Sequence, residues 1–218
     1  GVYKSSFSFQ QPVNIDASME QEINPVNIKI LKEQALQNKA LIQYAEKRGI
    51  REEVAKDYCI EIYYQILSTG KNYFSLGIKT DTGGIAMRNK YFKTAVAPCG
   101  ITTISSNSNQ LKVFEGFFDF LSYKVLYPDE AADFIILNSI IYINQAEENF
   151  QNYDSVTLFL DNDPAGVLLQ NMLQEKYGCS LNSASEVYSD FKDLNDFFSK
   201  YCNKCFLNDI EHFNCASK

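Results

Sequence analysis

The fold is decided by the stretch TLFLDNDPAG, residues 157–166. Residues 157–160 form a short, apolar, β-prone run of the kind that is buried on both faces of a parallel sheet. Pro164 suits the first turn of a helix, and the residues after it keep a helical pattern. Asp161 and Asp163 therefore lie where a strand ends, at the carboxyl edge at which open α/β sheets place their sites.

These two aspartates admit two explanations. Like charges this close repel each other unless a cation or a proton compensates them, and a bound hard metal ion is one such compensation. Asp is also a frequent helix N-cap, so either side chain could simply begin the helix at Pro164. Taken alone, the stretch leaves both explanations open.

The composition predicts a folded protein with a substantial core. Of the 218 residues, 45% are hydrophobic and 14% are aromatic. No apolar run approaches the roughly 20 residues that cross a bilayer, and the N-terminus GVYKSSFSFQQ lacks the apolar segment of a signal peptide. Six cysteines over this length do not indicate a disulfide framework. We therefore expect a cytoplasmic protein without a membrane partner and, since the sequence starts without Met, a fragment or a processed chain.

Charge is distributed unevenly along the chain, whose net charge is −7. Residues 1–100 carry 13 Lys and Arg against 10 Asp and Glu, whereas residues 101–218 carry 7 against 17. A mildly basic half joined to a strongly acidic half suggests two units with different tasks. The basic half is the candidate for contact with a polyanion, and the acidic half is the candidate for a metal site.

The pattern along the chain divides it into four parts. A polar lead-in precedes a small α+β lobe with an antiparallel sheet, and a region of alternating strands and helices precedes a short tail. A polar connector at residues 100–110 is expected to mark the boundary between the lobe and the alternating region. The expected bounds are 1–35 for the lead-in, 36–107 for the N-terminal lobe, 108–201 for the alternating domain and 202–218 for the tail.

The alternating region predicts a parallel sheet. Strands are expected in LKVFE, DFIILNS, SVTLFLD and SEVYSDFKD, each followed by a helix. Consecutive strand–helix units make right-handed crossovers, so these segments should form one four-stranded parallel sheet with flanking helices. The expected fold class is therefore α/β, preceded by the smaller α+β lobe.

Further acidic residues follow other strands of this sheet. Glu115 comes directly after LKVF, and the cluster DFKDLND at residues 190–196 follows the fourth strand. Carboxyl ends of parallel strands meet at one edge, so these groups should lie near Asp161 and Asp163. Helix capping explains Glu115 poorly, because Glu is not among the preferred N-cap residues. The combination favours a metal site over capping alone.

Together these motifs resemble a Toprim domain. Glu-Gly follows the first strand of the alternating region, Asp-x-Asp-x-x-Gly follows the third, and the acidic cluster follows the fourth, over residues 108–200. Toprim domains are shared by bacterial primases, type IA and type II topoisomerases and some nucleases. The resemblance implies a Rossmann-like fold and metal-dependent chemistry on phosphodiester bonds.

The first half of the chain resembles primases more specifically. YAEKRGIREEVAKDYCI is similar to the helical entry of the catalytic core of bacterial (DnaG-type) replicative primases. DTGGIAMRNKYFKTAVAPCGITTI is similar to the sequence before Toprim in primase-like proteins of Bacteroides-type mobile elements. The resemblance implies DNA replication, with single-stranded DNA and nucleoside triphosphates as partners and possible association with a helicase. It also implies a zinc-binding domain ahead of the core, which this sequence does not contain.

The Toprim resemblance assigns roles to the acidic residues. Glu115 becomes a general acid/base and metal ligand, and Asp161 and Asp163 become catalytic metal ligands. Asp193 matches the first acidic position of the last motif and becomes a further ligand. Mg²⁺ or Mn²⁺ is the expected cofactor, since carboxylate oxygens suit these ions, and two ions can stabilise both the attacking and the leaving oxygen of an in-line displacement.

The resemblance also covers residues without charge. Gly116 and Gly166 match the family glycines and allow tight turns beside the site. Asn195 falls where replicative primases commonly carry a second Asp. We expect this departure to weaken one metal site, because an amide oxygen carries no charge.

A basic stretch with interleaved aromatic residues, RNKYFK at residues 88–93, is the candidate nucleic-acid surface. Arg88, Lys90 and Lys93 could follow a phosphate backbone while Tyr91 stacks on a base. The alternative is an ordinary strand with an apolar inner face and a charged outer face. The resemblance to primases favours contact with nucleic acid.

Near the C-terminus, Cys202, Cys205, His212 and Cys215 have a spacing that zinc sites use. The spacing begins inside the last expected helix, and the family's zinc domain lies at the other end, so we favour ordinary structural roles for these residues.

Three functions fit the sequence. A primase core that makes short primers on single-stranded DNA fits the basic N-terminal lobe best. A Toprim nuclease or another phosphodiester-cleaving enzyme would use the same acidic residues. A non-catalytic nucleic-acid-binding module would not need them.

Overall fold

The structure of the protein, a computed structural model, describes residues 27–205, with side chains as far as residue 201. Two five-stranded sheets and six α-helices make up this part of the chain, in which every helix is too short or too polar to cross a lipid bilayer. The strands are β1 (Ile28–Ala35), β2 (Ile60–Ile66), β3 (Lys71–Lys79), β4 (Ile85–Arg88), β5 (Lys93–Val96), β6 (Thr102–Ile104), β7 (Gln110–Phe114), β8 (Asp133–Ile136), β9 (Ser155–Phe159) and β10 (Leu181–Ser183). The helices are α1 (Lys39–Lys47), α2 (Glu52–Tyr58), α3 (Phe117–Leu126), α4 (Ile143–Glu147), α5 (Pro164–Tyr177) and α6 (Leu194–Cys205).

The N-terminal sheet is an antiparallel meander in the order β1-β2-β3-β4-β5, as the sequence predicts for residues 60–96. One boundary needs correction. Residues 28–35, assigned to the lead-in, form β1 and pair with β2. These residues form a strand because apolar side chains alternate along them, and Ile28 and Ile30 pack with buried Ile62 and Tyr64 of β2.

The second sheet is mixed, in the order β10-β9-β7-β8-β6. Strands β7, β8, β9 and β10 pair in parallel, while β6 pairs antiparallel with β8. Two sequence-based assignments are therefore wrong: the connector at 100–110 contains an edge strand, and the last parallel strand lies at 181–183. Residues 185–188 form a 3₁₀ turn instead, since buried Tyr188 donates its hydroxyl to the Leu160 carbonyl at 2.9 Å.

A tight set of hydrogen bonds joins the two sheets through β6. Asp81, in the turn after β3, donates its backbone N–H to the Ile101 carbonyl at 2.9 Å. Its carboxylate accepts hydrogen bonds from the backbone N–H and hydroxyl of Thr103, at 2.9 and 2.6 Å. Thr102 donates its hydroxyl to the Lys79 carbonyl at 2.8 Å. The segment between the sheets is thus fixed to both of them.

The two lobes share one hydrophobic core. Leu41 of α1 and Leu76 of β3 belong to the same buried cluster as Phe114 of β7, Phe120 of α3 and Phe198 of α6. Helix α3 is buried along nearly its whole length, between the second sheet and helices of both lobes. The other face of the second sheet packs on α4 and α5 in a separate cluster. Burial of this common core orients the N-terminal lobe over the alternating domain.

Asn195 fastens α1 to α6 where the lobes meet, and it is 1% exposed. Its Oδ1 accepts a hydrogen bond from Arg48 Nε at 2.6 Å, and its Nδ2 donates to the Arg48 carbonyl at 2.9 Å and to Ser122 Oγ at 2.8 Å. The Arg48 guanidinium also lies over the Phe118 ring, 4.3 Å from its centroid. A single amide therefore satisfies polar groups of three helical segments.

Asn195→Ala is expected to lower the free energy of unfolding by about 2 kcal/mol or more, because it leaves buried partners of the amide unsatisfied. Urea denaturation measures the change. The matched control is Asn72→Ala on β3, where the side chain is exposed and the expected change is within about 0.5 kcal/mol. Equal effects in the two variants would contradict the role of Asn195.

Candidate active site

Glu115 and Asp161 lie side by side at the carboxyl edge of the second sheet. Glu115 follows β7, Asp161 follows β9, and these neighbouring strands pair Phe114 with Phe159. The Glu115 amide donates to the Phe159 carbonyl at 3.1 Å, and Glu115 Oε2 accepts a hydrogen bond from the Asp161 amide at 3.1 Å. The structure thus brings these two predicted site residues together.

Their environment disfavours ionisation. Burial, followed by the charge of Asp161, raises the pKa of Glu115 to about 7, although Lys93 acts in the opposite direction. Burial also raises the pKa of Asp161, while Lys192 opposes that shift. Glu115 is therefore a group that can hold or release a proton near neutral pH, as general acid–base chemistry requires.

Asp163 is the N-cap of α5. Its Oδ1 accepts hydrogen bonds from the amides of Ala165 and Gly166 at 3.1 and 3.0 Å, and Pro164 occupies the first helical turn. The capping explanation therefore holds for Asp163. These bonds use one carboxylate oxygen, so capping is compatible with a metal ligand at the other.

Asp193 and Asp119 extend the acidic edge toward α6. Asp193 Oδ1 accepts a hydrogen bond from the Asp196 amide at 2.7 Å, at the start of that helix. Asp119 is 5% exposed and accepts the Asn195 amide at 3.0 Å. Burial and the neighbouring Asp193, Asp161 and Glu115 raise its pKa well above the ordinary value. We refer to Glu115, Asp119, Asp161, Asp163 and Asp193 as the acidic edge.

Sequence reasoning missed Asp119. The signal was available in its spacing, because a residue four positions after Glu115, in the first turn of the following helix, returns to the same sheet edge.

Asn195 is a correction. The sequence interpretation treats it as a weakened metal ligand in place of an Asp. In the structure its buried side chain forms hydrogen bonds with Arg48 and Ser122, so the side-chain amide connects the two lobes.

Gly116 and Gly166 lie where other atoms come close to the backbone. A Cβ on Gly166 would lie 2.1 Å from the Asp161 carbonyl oxygen, so the backbone of α5 can reach the strand end only without a side chain. A Cβ on Gly116 would lie 2.9 Å from Asp119 Oδ2, which is the end of a side chain. The backbone therefore requires glycine at position 166, whereas Gly116 only has a side chain as its close neighbour.

Lys192 is a second residue that sequence reasoning missed. Its Nζ lies 3.0 Å from Asp161 Oδ2. Asn162, between the two aspartates, donates its amide to the Lys192 carbonyl at 2.6 Å and its Nδ2 to the carbonyls of Tyr188 and Phe191 at 2.9 and 3.0 Å. A lysine within an acidic motif gave no distinct signal in the sequence.

The basic stretch at 88–93 is a hairpin rather than one strand. Arg88 ends β4 and pairs with Lys93 at the start of β5, while the Asn89 side chain accepts the amides of Tyr91 and Phe92. Lys93 is close enough to lower the pKa of Glu115.

The four candidate nucleic-acid residues of this hairpin fall into two groups. Arg88 is near Asp119 and Asp193, and burial together with Arg48 lowers its pKa. Arg88 and Lys93 are therefore close enough to the acidic edge to interact electrostatically with its carboxylates. Lys90 and Tyr91 lie on the turn, where Tyr91 is 74% exposed.

The acidic edge has the chemistry of a site for a hard cation. Among the residues that the structure describes, no three His, Cys, Asp or Glu side chains are arranged so that together they could hold a metal ion. Mg²⁺ needs no such cage, since it keeps several waters and is held by one or two carboxylates with substrate phosphates. Glu115 and Asp161, which are adjacent at the ends of paired strands, are the donors that fit it best. The zinc-like set Cys202, Cys205, His212 and Cys215 lies outside the described side chains.

Two family models match separate parts of the chain. Residues 30–97 match a family described as a domain of unknown function (DUF8464). Residues 112–198 match the Toprim-like family, which supports a Toprim domain there, as the motifs predict. A search of curated proteins found no match. A Toprim domain is compatible with primase-type or nuclease-type activity, and domains of this kind generally bind divalent metal ions such as Mg²⁺.

Replacing Asp161 and Asp163 together by Asn is expected to abolish stabilisation by Mn²⁺. Asn remains a good N-cap, so the metal-free variant should melt close to the parent. The parent should gain about 2.7 kcal/mol when Mn²⁺ is at one hundred times its Kd. Thermal melts with and without Mn²⁺ compare the two, with Asp163→Asn as the control that keeps Asp161. An identical Mn²⁺ shift in parent and double variant would contradict a metal site at this pair.

Proposed function

We propose that the protein is a primase-like nucleotidyltransferase that uses Mg²⁺ or Mn²⁺ to make short primers on single-stranded DNA in the cytoplasm, with nucleoside triphosphates as substrates. One observation carries the proposal: Arg88 and Lys93 of the N-terminal hairpin are close enough to the acidic edge of the Toprim-like domain to interact electrostatically with its carboxylates. Carboxylates and cations this near to one another suit a metal-bound triphosphate, because the carboxylates would hold the metal and the cations would hold the phosphates.

Each residue has a definable task at this site. Glu115 and Asp161 would hold the metal, with Asp163 and Asp193 beside them. A bound divalent ion would supply charge neutralisation and orient the displacement at phosphorus. In the metal-free site the pKa of Glu115 is raised to about 7, and this carboxyl group would take or return the proton of a reacting hydroxyl. Arg88 and Lys93 would orient phosphate oxygens.

The exposed turn of the hairpin is the part best placed for the template. Tyr91 offers a free aromatic face beside the charge of Lys90, whose Nζ lies 5.8 Å from the Tyr91 ring centroid. Base stacking and phosphate contact together are how proteins hold single strands without sequence preference. The template would then lie along the N-terminal lobe while the triphosphate lies at the acidic edge.

Phosphodiester hydrolysis is the second candidate, and the same Glu115 favours it. A carboxyl group that titrates near neutrality can activate water as well as a 3′-hydroxyl. One buried and four half-buried carboxylates at one edge speak against a purely non-catalytic binding module, because their burial costs stability that binding alone does not need.

Product analysis separates the candidates. The protein is incubated with Mn²⁺, nucleoside triphosphates and end-labelled or unlabelled single-stranded DNA. Primase activity incorporates labelled triphosphates into new short strands, whereas nuclease activity shortens the end-labelled strand. Glu115→Gln should lower either activity by at least about a hundredfold, and Glu175→Gln, an exposed carboxyl on α5, should leave it unchanged. Shortened strands without new synthesis would replace the primase proposal by the nuclease.

Binding to single-stranded DNA should separate charge from stacking on the hairpin. Lys90→Ala should lower the slope of log K against log salt by about 0.7. Tyr91→Ala should weaken binding by about 1–3 kcal/mol with the slope unchanged. Fluorescence anisotropy over a salt series measures both, and Lys71→Ala on β3 is the control for an exposed lysine elsewhere on the sheet. If Lys90→Ala and Lys71→Ala have equal slopes, the hairpin is only a solvated turn.

A further inference from the structure

Lys192 forms an ion pair with Asp161, one of the residues proposed to hold a metal ion. Its Nζ is 3.0 Å from Asp161 Oδ2, and its side chain is 58% exposed while that of Asp161 is 13% exposed. The ammonium group therefore lies between a largely buried carboxylate and the solvent. A cation that reaches this oxygen from solution has to replace it.

The backbone of Lys192 is held in this position by the candidate metal loop itself. Asn162 binds the Lys192 carbonyl through its amide, and its side chain binds the two carbonyls of Tyr188 and Phe191. The residue between the two aspartates thus fixes the segment that carries the lysine. Because the backbone is tethered and the side chain is long, the ammonium group can leave Asp161 without any movement of the chain.

We propose that Lys192 is a positioning residue that neutralises Asp161 until a divalent cation binds, and that its displaced ammonium group then contacts the phosphates of a nucleoside triphosphate. The inference rests on the proposed function of the acidic edge as a metal site. A compact ammonium on a flexible stem is suited to both contacts, since it binds carboxylate and phosphate as a point charge. A metal ion bound at Asp161 would also hold substrate phosphates, and these would then lie within reach of the displaced ammonium group.

The ion pair should compete with metal and assist the triphosphate, so its removal should change the two affinities in opposite directions. Lys192→Gln should bind Mn²⁺ alone roughly fivefold more tightly, because no ammonium has to be displaced and none repels the ion. The same variant should bind Mn²⁺·ATP about tenfold more weakly, because a charged phosphate contact is missing. Isothermal titration calorimetry measures both on the unmodified full chain and on the variant.

Two further variants define the comparison. Lys176→Gln also removes one charge and one ion pair, to Glu147 at 2.5 Å on the far side of the sheet, and should leave both affinities unchanged. Lys192→Arg keeps the charge and should stay near the parent in Mn²⁺ affinity. Thermal melts check folding, and Lys192→Met, which keeps the aliphatic stem, replaces Lys192→Gln if that variant folds poorly.

The results separate this inference from the proposed function. Unchanged or weaker Mn²⁺ binding in Lys192→Gln overturns the competition with Asp161. Tighter Mn²⁺ binding with unchanged Mn²⁺·ATP affinity overturns the phosphate contact. If instead Asp161→Asn binds Mn²⁺ as the parent does, the metal site itself fails, whatever Lys192 does.

Discussion

The organisation of the site depends on hydrogen bonds from backbone amides to carboxylates that would otherwise repel one another. Glu115 accepts the amide of Asp161, Asp119 that of Asn195, Asp163 those at the start of α5, and Asp193 that of Asp196. Each bond uses one oxygen of the carboxylate. The main chain thereby fixes the direction of every one of these side chains, and the strand ends and helix starts that supply the amides become parts of the site.

The same principle explains why the two lobes form one structure. The amide of Asn195 binds Asp119 of the acidic edge, while its side chain binds Arg48 of the N-terminal lobe. Arg88, on the hairpin of that lobe, is close enough to Arg48, Asp119 and Asp193 for their charges to act on its guanidinium group. A change in the position of α1 would therefore be transmitted to the carboxylates through a single residue. The N-terminal lobe contributes to the geometry of the site as well as to its charge.

Sequence reasoning predicted the elements around the strongest local signals. TLFLDNDPAG gave a buried parallel strand, a carboxyl edge and a helix that starts at Pro164, because apolar runs and cap residues act over a few positions. It failed where contacts between residues far apart in the sequence determine the secondary structure. β6 is three residues long and forms because β8 offers a partner, and the segment at 185–188 turns because Tyr188 is buried under β9. Local propensity contains neither fact.

The residues of the candidate site also fall into those that local sequence signals predict and those that depend on contacts between distant segments. Glu115 and Asp161 could be placed at one edge from strand order alone, since parallel strand ends meet there. Asp119 had a signal in its spacing after Glu115, which sequence reasoning did not use. Lys192 could not be separated from ordinary loop residues until the chain was folded, and the structural role of Asn195 depends on Arg48, which is 147 positions away in the sequence.

The bonds between β6 and the turn after β3 bear on how a substrate would enter. With Asp81 and Thr103 joined at two points and Thr102 joined to β3, the passage from one lobe to the other is not a hinge. The N-terminal lobe and the second sheet would therefore keep one arrangement when a substrate binds. Adjustment at the site would come from long side chains such as Lys192 rather than from movement of the lobes.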